Sequence, residues 1–253
     1  MPQEEGVRYV VVWQRRNYNT SCTTDRLRGR IDVTLMEMEG EGLSRSRNKA
    51  MDVVVGMLSN PLEDAVVLVA DDDERLLPEA FEHIRSAYES RPKLDAALFR
   101  LRSSSDGSYF KAYPAEAISY THRPRYYYPC SCELTMRCRV WQTGVRFDER
   151  FGLGAEYLCA GEEDVLLTDI ERRGLNVMVL PEDIALTDPL TTGSRVLDVK
   201  VLRSKGGVYS YQRSLPGAFL RCCREALSLA VRHRRNPWQL FREIWNGVKY
   251  IRS

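Results

Sequence analysis

Short apolar runs rich in valine alternate with amphipathic segments of helical period along the first two thirds of the chain. The runs predict strands at residues 8–14, 31–36, 65–70 and 94–101, because four to eight consecutive apolar residues suit a strand buried in a sheet. The intervening segments predict helices over residues 44–57 and 78–90. This alternation predicts an α/β fold with a mixed, mostly parallel, Rossmann-like sheet flanked by helices.

The last third of the chain is predicted to be mainly helical. A helix over residues 162–173 ends at Gly174 and precedes a strand at 176–180, whereas residues 190–208 predict a mobile loop. Two amphipathic helices begin near Pro216 and Pro237. We therefore expect two parts, residues 1–212 and a basic amphipathic helical tail at 213–253.

Three consecutive carboxylates, Asp71, Asp72 and Asp73, follow the apolar run at residues 65–70. In open α/β sheets ligands bind just beyond the carboxyl ends of strands. Adjacent like charges repel, and a hard divalent cation such as Mg²⁺ or Mn²⁺ would stabilise them. The triplet predicts a metal or ligand site, and the alternative is a solvated acidic loop.

Two further charged segments add to this prediction. Arg45 and Arg47 lie at a predicted helix start, where cations oppose the helix dipole, so either an anion binds there or both side chains simply face solvent. Glu162, Glu163 and Asp164 lie at another helix start, where acids are favourable for structural reasons alone. Paired with the triplet, this second cluster could deprotonate a nucleophile while the first binds a metal.

Four motifs in order resemble the family 2 glycosyltransferases of the GT-A fold. They are GLSRSRN at residues 42–48, the aspartate triplet, FDERFGLG at 147–154 and GEED at 161–164, and the resemblance covers about residues 7–195. It implies a catalytic domain over residues 1–212 and inverting transfer of a sugar from a nucleotide-diphosphate donor. The acceptor would be a hydroxyl of a sugar or lipid-linked molecule, in polysaccharide or glycolipid synthesis.

The resemblance also implies roles for individual residues. Asp73 would be the direct ligand of Mg²⁺ or Mn²⁺, with Asp71 as a further metal ligand, and the earlier carboxylates, Asp71 and Asp72, would contact the donor ribose. Asp164 would be the general base, paired with Glu163 at the acceptor site. The other residues expected to face the donor are Arg45, Arg47, Asn48 and Gln14.

Two positions depart from the family pattern. The first strand ends in Gln14, where many relatives carry an Asn or Asp that meets the base, so uracil recognition is not implied here. Many relatives also carry a His near the end of the catalytic domain, whereas residues 187–193 contain none. Either Asp188 replaces it as a metal ligand or the site lacks that contact.

Composition is that of an ordinary soluble protein, with 43% hydrophobic and 28% charged residues and a net charge of +2. The sequence has no apolar run long enough to span a bilayer and no apolar segment near its acidic start, which predicts a cytoplasmic protein. Charge is uneven, since residues 213–253 hold nine Lys or Arg against two acids. That excess predicts an anionic partner for the tail.

The tail has two interpretations. Its apolar stripe at helical spacing consists of Trp238, Phe241, Ile244, Trp245, Val248 and Ile251. With the basic residues, this stripe suits peripheral contact with the inner face of a membrane; alternatively it packs on the catalytic domain or forms a homodimer. We expect no nucleic-acid partner, because the acidic catalytic region would repel phosphates.

Two functional alternatives remain open at this point. A nucleotidyltransferase shares a Rossmann-like sheet and metal carboxylates, although residues 14–25 lack the glycines of a phosphate loop. A degenerate transferase that serves as a binding subunit would account for Gln14 and the missing histidine.

Overall fold

The computed structural model describes residues 1–15, 26–58, 65–188 and 195–253. They form two compact units. Unit 1 comprises residues 1–41, 45–146 and 169–189, and unit 2 comprises residues 42–44, 147–168 and 190–253. Neither unit begins or ends at residue 212, where the sequence predicted a boundary. The division into a catalytic domain and a tail concerns function and stays a prediction.

The described residues of unit 1 contain eight strands. They are β1 (Tyr9–Arg15), β2 (Val33–Glu39), β3 (Val66–Leu68), β4 (Arg75–Leu76), β5 (Ala96–Ser103), β6 (Ile118–Ser119), β7 (Leu134–Arg137) and β8 (Val177–Thr187). The parallel pairings of β1 with β2 and of β5 with β8 are the longest, whereas the antiparallel pairings extend over two or three residues. Counted by paired residues, the sheet structure is therefore mixed and mostly parallel, as predicted.

Seven α-helices are described. They are α1 (Leu43–Met57), α2 (Ala80–Glu89), α3 (Cys138–Gln142), α4 (Glu162–Arg172), α5 (Val199–Gln212), α6 (Leu215–His233) and α7 (Pro237–Arg252). Short 3-10 helices occur at Tyr120–His122 and Ser131–Glu133. Predicted helices at α1, α2, α4, α6 and α7 are confirmed, and Gly174 after α4 has the positive φ of +70° that suits a helix end. No described helix is long and apolar enough to span a bilayer.

The apolar run before the aspartates was predicted to be a buried strand over residues 65–70, of the kind found inside a parallel sheet, and that prediction is wrong in length, burial and direction. β3 is only three residues long, half-buried, and antiparallel to β7. The backbone N–H of Val69 extends this pairing by donating to the carbonyl of Leu134 (2.9 Å). A valine-rich run specifies an extended backbone but not the direction of its partner, which here comes from later in the chain.

Residues 199–208 were predicted to be part of a mobile loop, and they are helical instead. Asp198 caps α5 by accepting hydrogen bonds from the backbone N–H groups of Lys200 and Val201. The sequence did not predict this helix because glycine, here Gly206, is a poor helix former. The close packing of α5 on α7 nevertheless requires a glycine at this position. A Cβ there would lie 1.7 Å from the carbonyl oxygen of Ile244 in α7. Residues 190–194 of the predicted loop lie outside the described residues.

The apolar stripe predicted for the tail packs mainly inside unit 2. Ile244 and Val248 are buried in one cluster with residues of α5 and α6, where Phe241 and Trp245 also pack. Ile251 packs on a second cluster. Packing on protein is therefore correct for this stripe, except that Trp238 is 78% exposed.

Candidate functional site

The aspartate triplet occupies the connection between β3 and β4 in unit 1. The side chain of Asp71 is 32% exposed, and Asp72 and Asp73 are exposed to solvent. Within the described part of the chain, neither Asp72 nor Asp73 makes an ion pair or side-chain hydrogen bond. The triplet thus combines one carboxylate held by the protein with two that are available to a ligand.

Arg47 holds Asp71. Its side chain is only 8% exposed, and Nη2 donates to Asp71 Oδ1 at 2.8 Å and to Ser131 Oγ at 2.6 Å. Arg45 lies on the exposed side of the same helix. The interpretation that both arginines merely face solvent is therefore wrong for Arg47, which α1 directs at the end of β3.

The other oxygen of Asp71 also has a partner. Cys132 Sγ donates to Asp71 Oδ2 at 3.3 Å. Burial, followed by the charge of Asp71, raises the pKa of the Cys132 thiol, so the thiol stays protonated and can donate. Both carboxylate oxygens of Asp71 are therefore hydrogen-bonded within the protein.

Glu74 is a fourth carboxyl beside the aspartate triplet. Its Oε2 accepts from the backbone N–H of Asp71 at 3.4 Å, and its Oε1 is buried without a hydrogen-bond partner. Burial raises the pKa of Glu74 to about 8, with Asp71 and Asp73 contributing to the rise. At neutral pH this carboxyl is mostly protonated, which limits the repulsion among the four neighbouring acids.

The 3-10 turn at Ser131–Glu133 connects this site to a buried polar network that sequence reasoning missed. Glu133 is fully buried and accepts from Tyr113 Oη (2.6 Å) and Tyr127 Oη (2.8 Å). Lys111 Nζ lies 2.8 Å from Glu133 Oε1 and also donates to the carbonyl of Tyr128. Three successive residues therefore contact, in turn, Arg47, Asp71 and the Lys111 network.

The buried lysine and carboxyl stabilise each other's charge. Burial alone would lower the pKa of Lys111, but attraction to Glu133 reverses this, and the pKa is raised. The pKa of Glu133 is raised overall, because the effect of burial exceeds the opposite effects of Lys111 and the two tyrosine hydroxyls. The ammonium of Lys111 also lies 4.4 Å from the ring centre of Tyr127 and 4.3 Å from that of Tyr128.

The remaining donor-site predictions also lie in unit 1. Gln14, near the end of β1, donates from Nε2 to Ser46 Oγ on α1 at 3.2 Å. Asn48 lies half-buried on the same helix. Asp188 is exposed directly after β8. The structure thus connects Gln14 to α1 and Arg47 to the triplet, and both contacts involve the helix that carries the GLSRSRN motif.

The second acidic cluster forms the first turn of α4, in unit 2. Glu162 is buried, whereas Glu163 and Asp164 are half-buried. Gly152 allows the preceding loop to approach, because its φ is +102° and a Cβ there would lie 3.2 Å from the Glu162 carboxyl carbon. Ser44 Oγ donates to the carbonyl of Phe151 (2.6 Å), and Ser44 lies inside α1, which begins one residue earlier, at Leu43.

A divalent cation fits the triplet only with help from a substrate. The described residues contain no group of three or more His, Cys, Asp or Glu side chains arranged to bind a metal. Mg²⁺, however, is usually held by one or two carboxylates together with substrate phosphates and water. Asp73, with Asp72 beside it, offers such carboxylates, whereas the oxygens of Asp71 already bind Arg47 and Cys132.

Comparison with known proteins bears on the fold. No family model matches the chain, and no curated protein matches its sequence. Among solved structures, S. aureus TarS residues 1–349 matches with a TM-score of 0.56 at 13% identity, over 96% of this chain and 73% of TarS. The same TarS region in complex with UDP matches with a TM-score of 0.53 at 12% identity, over 96% and 80%. The predicted α/β fold, with a mixed and mostly parallel sheet flanked by helices, is confirmed.

Proposed function

We propose that the protein is an inverting glycosyltransferase that moves a sugar from a nucleotide-diphosphate donor to an acceptor hydroxyl. The observation that carries this proposal is the Arg47–Asp71 ion pair at the end of β3, with the exposed Asp72 and Asp73 beside it. Likeness to the UDP-bound TarS supports a nucleotide donor. The acceptor class is a sugar or lipid-linked molecule of polysaccharide or glycolipid synthesis.

The triplet would bind the donor. Asp73, with Asp72 beside it, would hold Mg²⁺ or Mn²⁺, and such a metal stabilises charge on a departing diphosphate. Arg45 is an exposed cation on α1 and is available to phosphate oxygens. Asp71, fixed by Arg47 and Cys132, would orient the loop and contact the ribose. Its predicted role as a metal ligand, like that of Asp188, stays a prediction.

Asp164 would activate the acceptor, with Glu163 beside it. Its carboxylate takes the proton of the acceptor hydroxyl, the oxygen bonds to the anomeric carbon, and the bond from that carbon to the diphosphate oxygen breaks. Attack opposite the leaving group inverts the anomeric centre. A positioned base of this kind contributes about 10²- to 10⁴-fold to the rate.

Turnover of a panel of nucleotide sugars with Mn²⁺, measured as nucleoside-diphosphate release, tests the proposal. We expect release with at least one donor, and at least about 100-fold slower release for Asp164→Asn. Folded protein that neither binds nor turns over any donor would refute the proposal. Tight UDP binding without turnover on any donor would instead favour the non-catalytic binding subunit.

A further inference from the structure

Helix α6 is apolar on two opposite faces. Its buried face consists of Ala218, Cys222, Ala226 and Leu229. On the opposite side, Leu220, Leu227 and Val231 recur at helical spacing and are 68%, 57% and 83% exposed. We call these three residues the outer apolar face of α6.

This arrangement is unusual for a surface helix. Single exposed apolar residues are common, but a surface helix normally buries one apolar stripe and presents polar residues on the other side. Here three large aliphatic residues lie on the side of the helix opposite the buried stripe. Exposed apolar side chains grouped in this way, with polar residues around them, indicate an interaction site.

Four arginines lie on the outer apolar face or at its C-terminal end. Arg224 lies on it between Leu220 and Leu227, and three more cations, Arg232, Arg234 and Arg235, follow at the C-terminal end of the helix. None of these four guanidinium groups has an acidic partner in the described part of the chain. The acid of α6, Glu225, is already paired with Lys205 at 2.5 Å.

We propose that the outer apolar face of α6 inserts into the interfacial region of an anionic lipid bilayer. The aliphatic side chains would enter the boundary between headgroups and acyl chains, as in helices that lie in the plane of a membrane. The arginines would extend to the lipid phosphates with their stems along the apolar surface. This surface differs from the α7 stripe that the sequence singled out, most of which is buried.

Charge favours a lipid surface over a second copy of the chain. In a twofold dimer built on this face, each subunit would present the same arginines to its partner. Like charges across an interface are strongly unfavourable. Anionic lipid headgroups instead neutralise every one of these cations.

Sedimentation with large unilamellar vesicles tests the proposal without nucleotide, so its outcome is independent of the proposed transferase activity. We expect binding to phosphatidylcholine vesicles with about 30% phosphatidylglycerol, and weaker binding at about 0.5 M NaCl. Each methylene buried in a bilayer changes affinity about fourfold, so Leu220→Gln/Val231→Gln should weaken binding at least about tenfold. Ile31→Gln/Val199→Gln, which removes two exposed aliphatic side chains elsewhere, should leave binding unchanged.

Charge variants complete the experiment. Arg224→Gln should weaken binding to the anionic vesicles about fivefold and leave any binding to neutral vesicles unchanged. The proposal is overturned if wild-type protein does not bind anionic vesicles, or if the apolar and control variants bind equally. It is also overturned if sedimentation equilibrium shows a dimer that Leu220→Gln/Val231→Gln dissociates.

Discussion

Replacing Glu133 by Gln should strongly destabilise the protein. The carboxyl is fully buried and the side chain of its partner Lys111 is 4% exposed, with 2.8 Å between the charged atoms. Glu133→Gln would leave the ammonium of Lys111 buried beside a neutral amide. The two tyrosine hydroxyls that donate to Glu133 would also lose a charged acceptor.

The expected magnitude follows from the burial of both partners. Removing one member of a buried ion pair costs about 3–5 kcal/mol, because the other charge remains without compensation. Replacing both members by apolar residues of similar volume is often nearly neutral. We therefore expect Glu133→Gln and Lys111→Met each to lower the free energy of unfolding by about 3 kcal/mol or more. Glu133→Met/Lys111→Met should recover only part of that loss, because the hydroxyls of Tyr113 and Tyr127 still lose their acceptor.

Urea unfolding followed by circular dichroism measures these values. The exposed pair Arg85–Glu82, at 47% and 73% exposure, provides the control, and Glu82→Gln should change the free energy of unfolding by less than about 0.5 kcal/mol. A cost for Glu133→Gln as small as that of the control would refute a buried, ionised pair. A double variant less stable than either single variant would refute the coupling between them.

Two further predictions concern backbone packing and pH. Gly206→Ala should lower the free energy of unfolding by at least about 2 kcal/mol, because the new Cβ meets the backbone of α7. The control is Gly56→Ala on α1, where a Cβ meets open space, and it should raise the free energy of unfolding by about 0.5 kcal/mol. The folded-state pKa of Glu74 is raised, so the stability contributed by this group is present below about pH 4.5 and is lost as the pH rises to about 8. In metal-free protein, unfolding titrations should show a decline of up to about 4 kcal/mol over that range, and Glu74→Gln should abolish it.

The periodic elements of the fold were predictable from the sequence. Strand β5 and helix α7 bury most of the apolar residues that predicted them, and β1, β2, α1, α4 and α6 also form where apolar runs or helical spacing predicted them. The direction of β3 was not predictable, because its partner β7 is distant in sequence and a valine run is compatible with either direction. Helix α5 was missed because its glycines serve close packing on α7.

The site was predictable only in part. Arg47 lies at a helix start, where a cation opposes the helix dipole, so a nearby anion was one expectation. In the structure Asp71 is one such partner. The buried polar network next to that pair was not predictable. Lys111, Tyr113 and Glu133 recur at no helical or strand period, and nothing in their spacing indicates burial. The cluster of tyrosines between residues 109 and 128 was the available signal, since buried tyrosine hydroxyls need polar partners.

Calorimetric titration of UDP in the presence and absence of Mn²⁺ separates the donor carboxylates from the acceptor carboxylates. We expect Mn²⁺-dependent binding to the wild type, its loss in Asp73→Asn, and its retention in Asp164→Asn, the variant with impaired turnover. Glu82→Gln, which changes an exposed carboxylate of α2 outside the triplet, serves as the control and should bind like the wild type. Binding that is indifferent to Mn²⁺ and to Asp73→Asn, or that is lost in Asp164→Asn, would contradict the proposed division between donor and acceptor carboxylates.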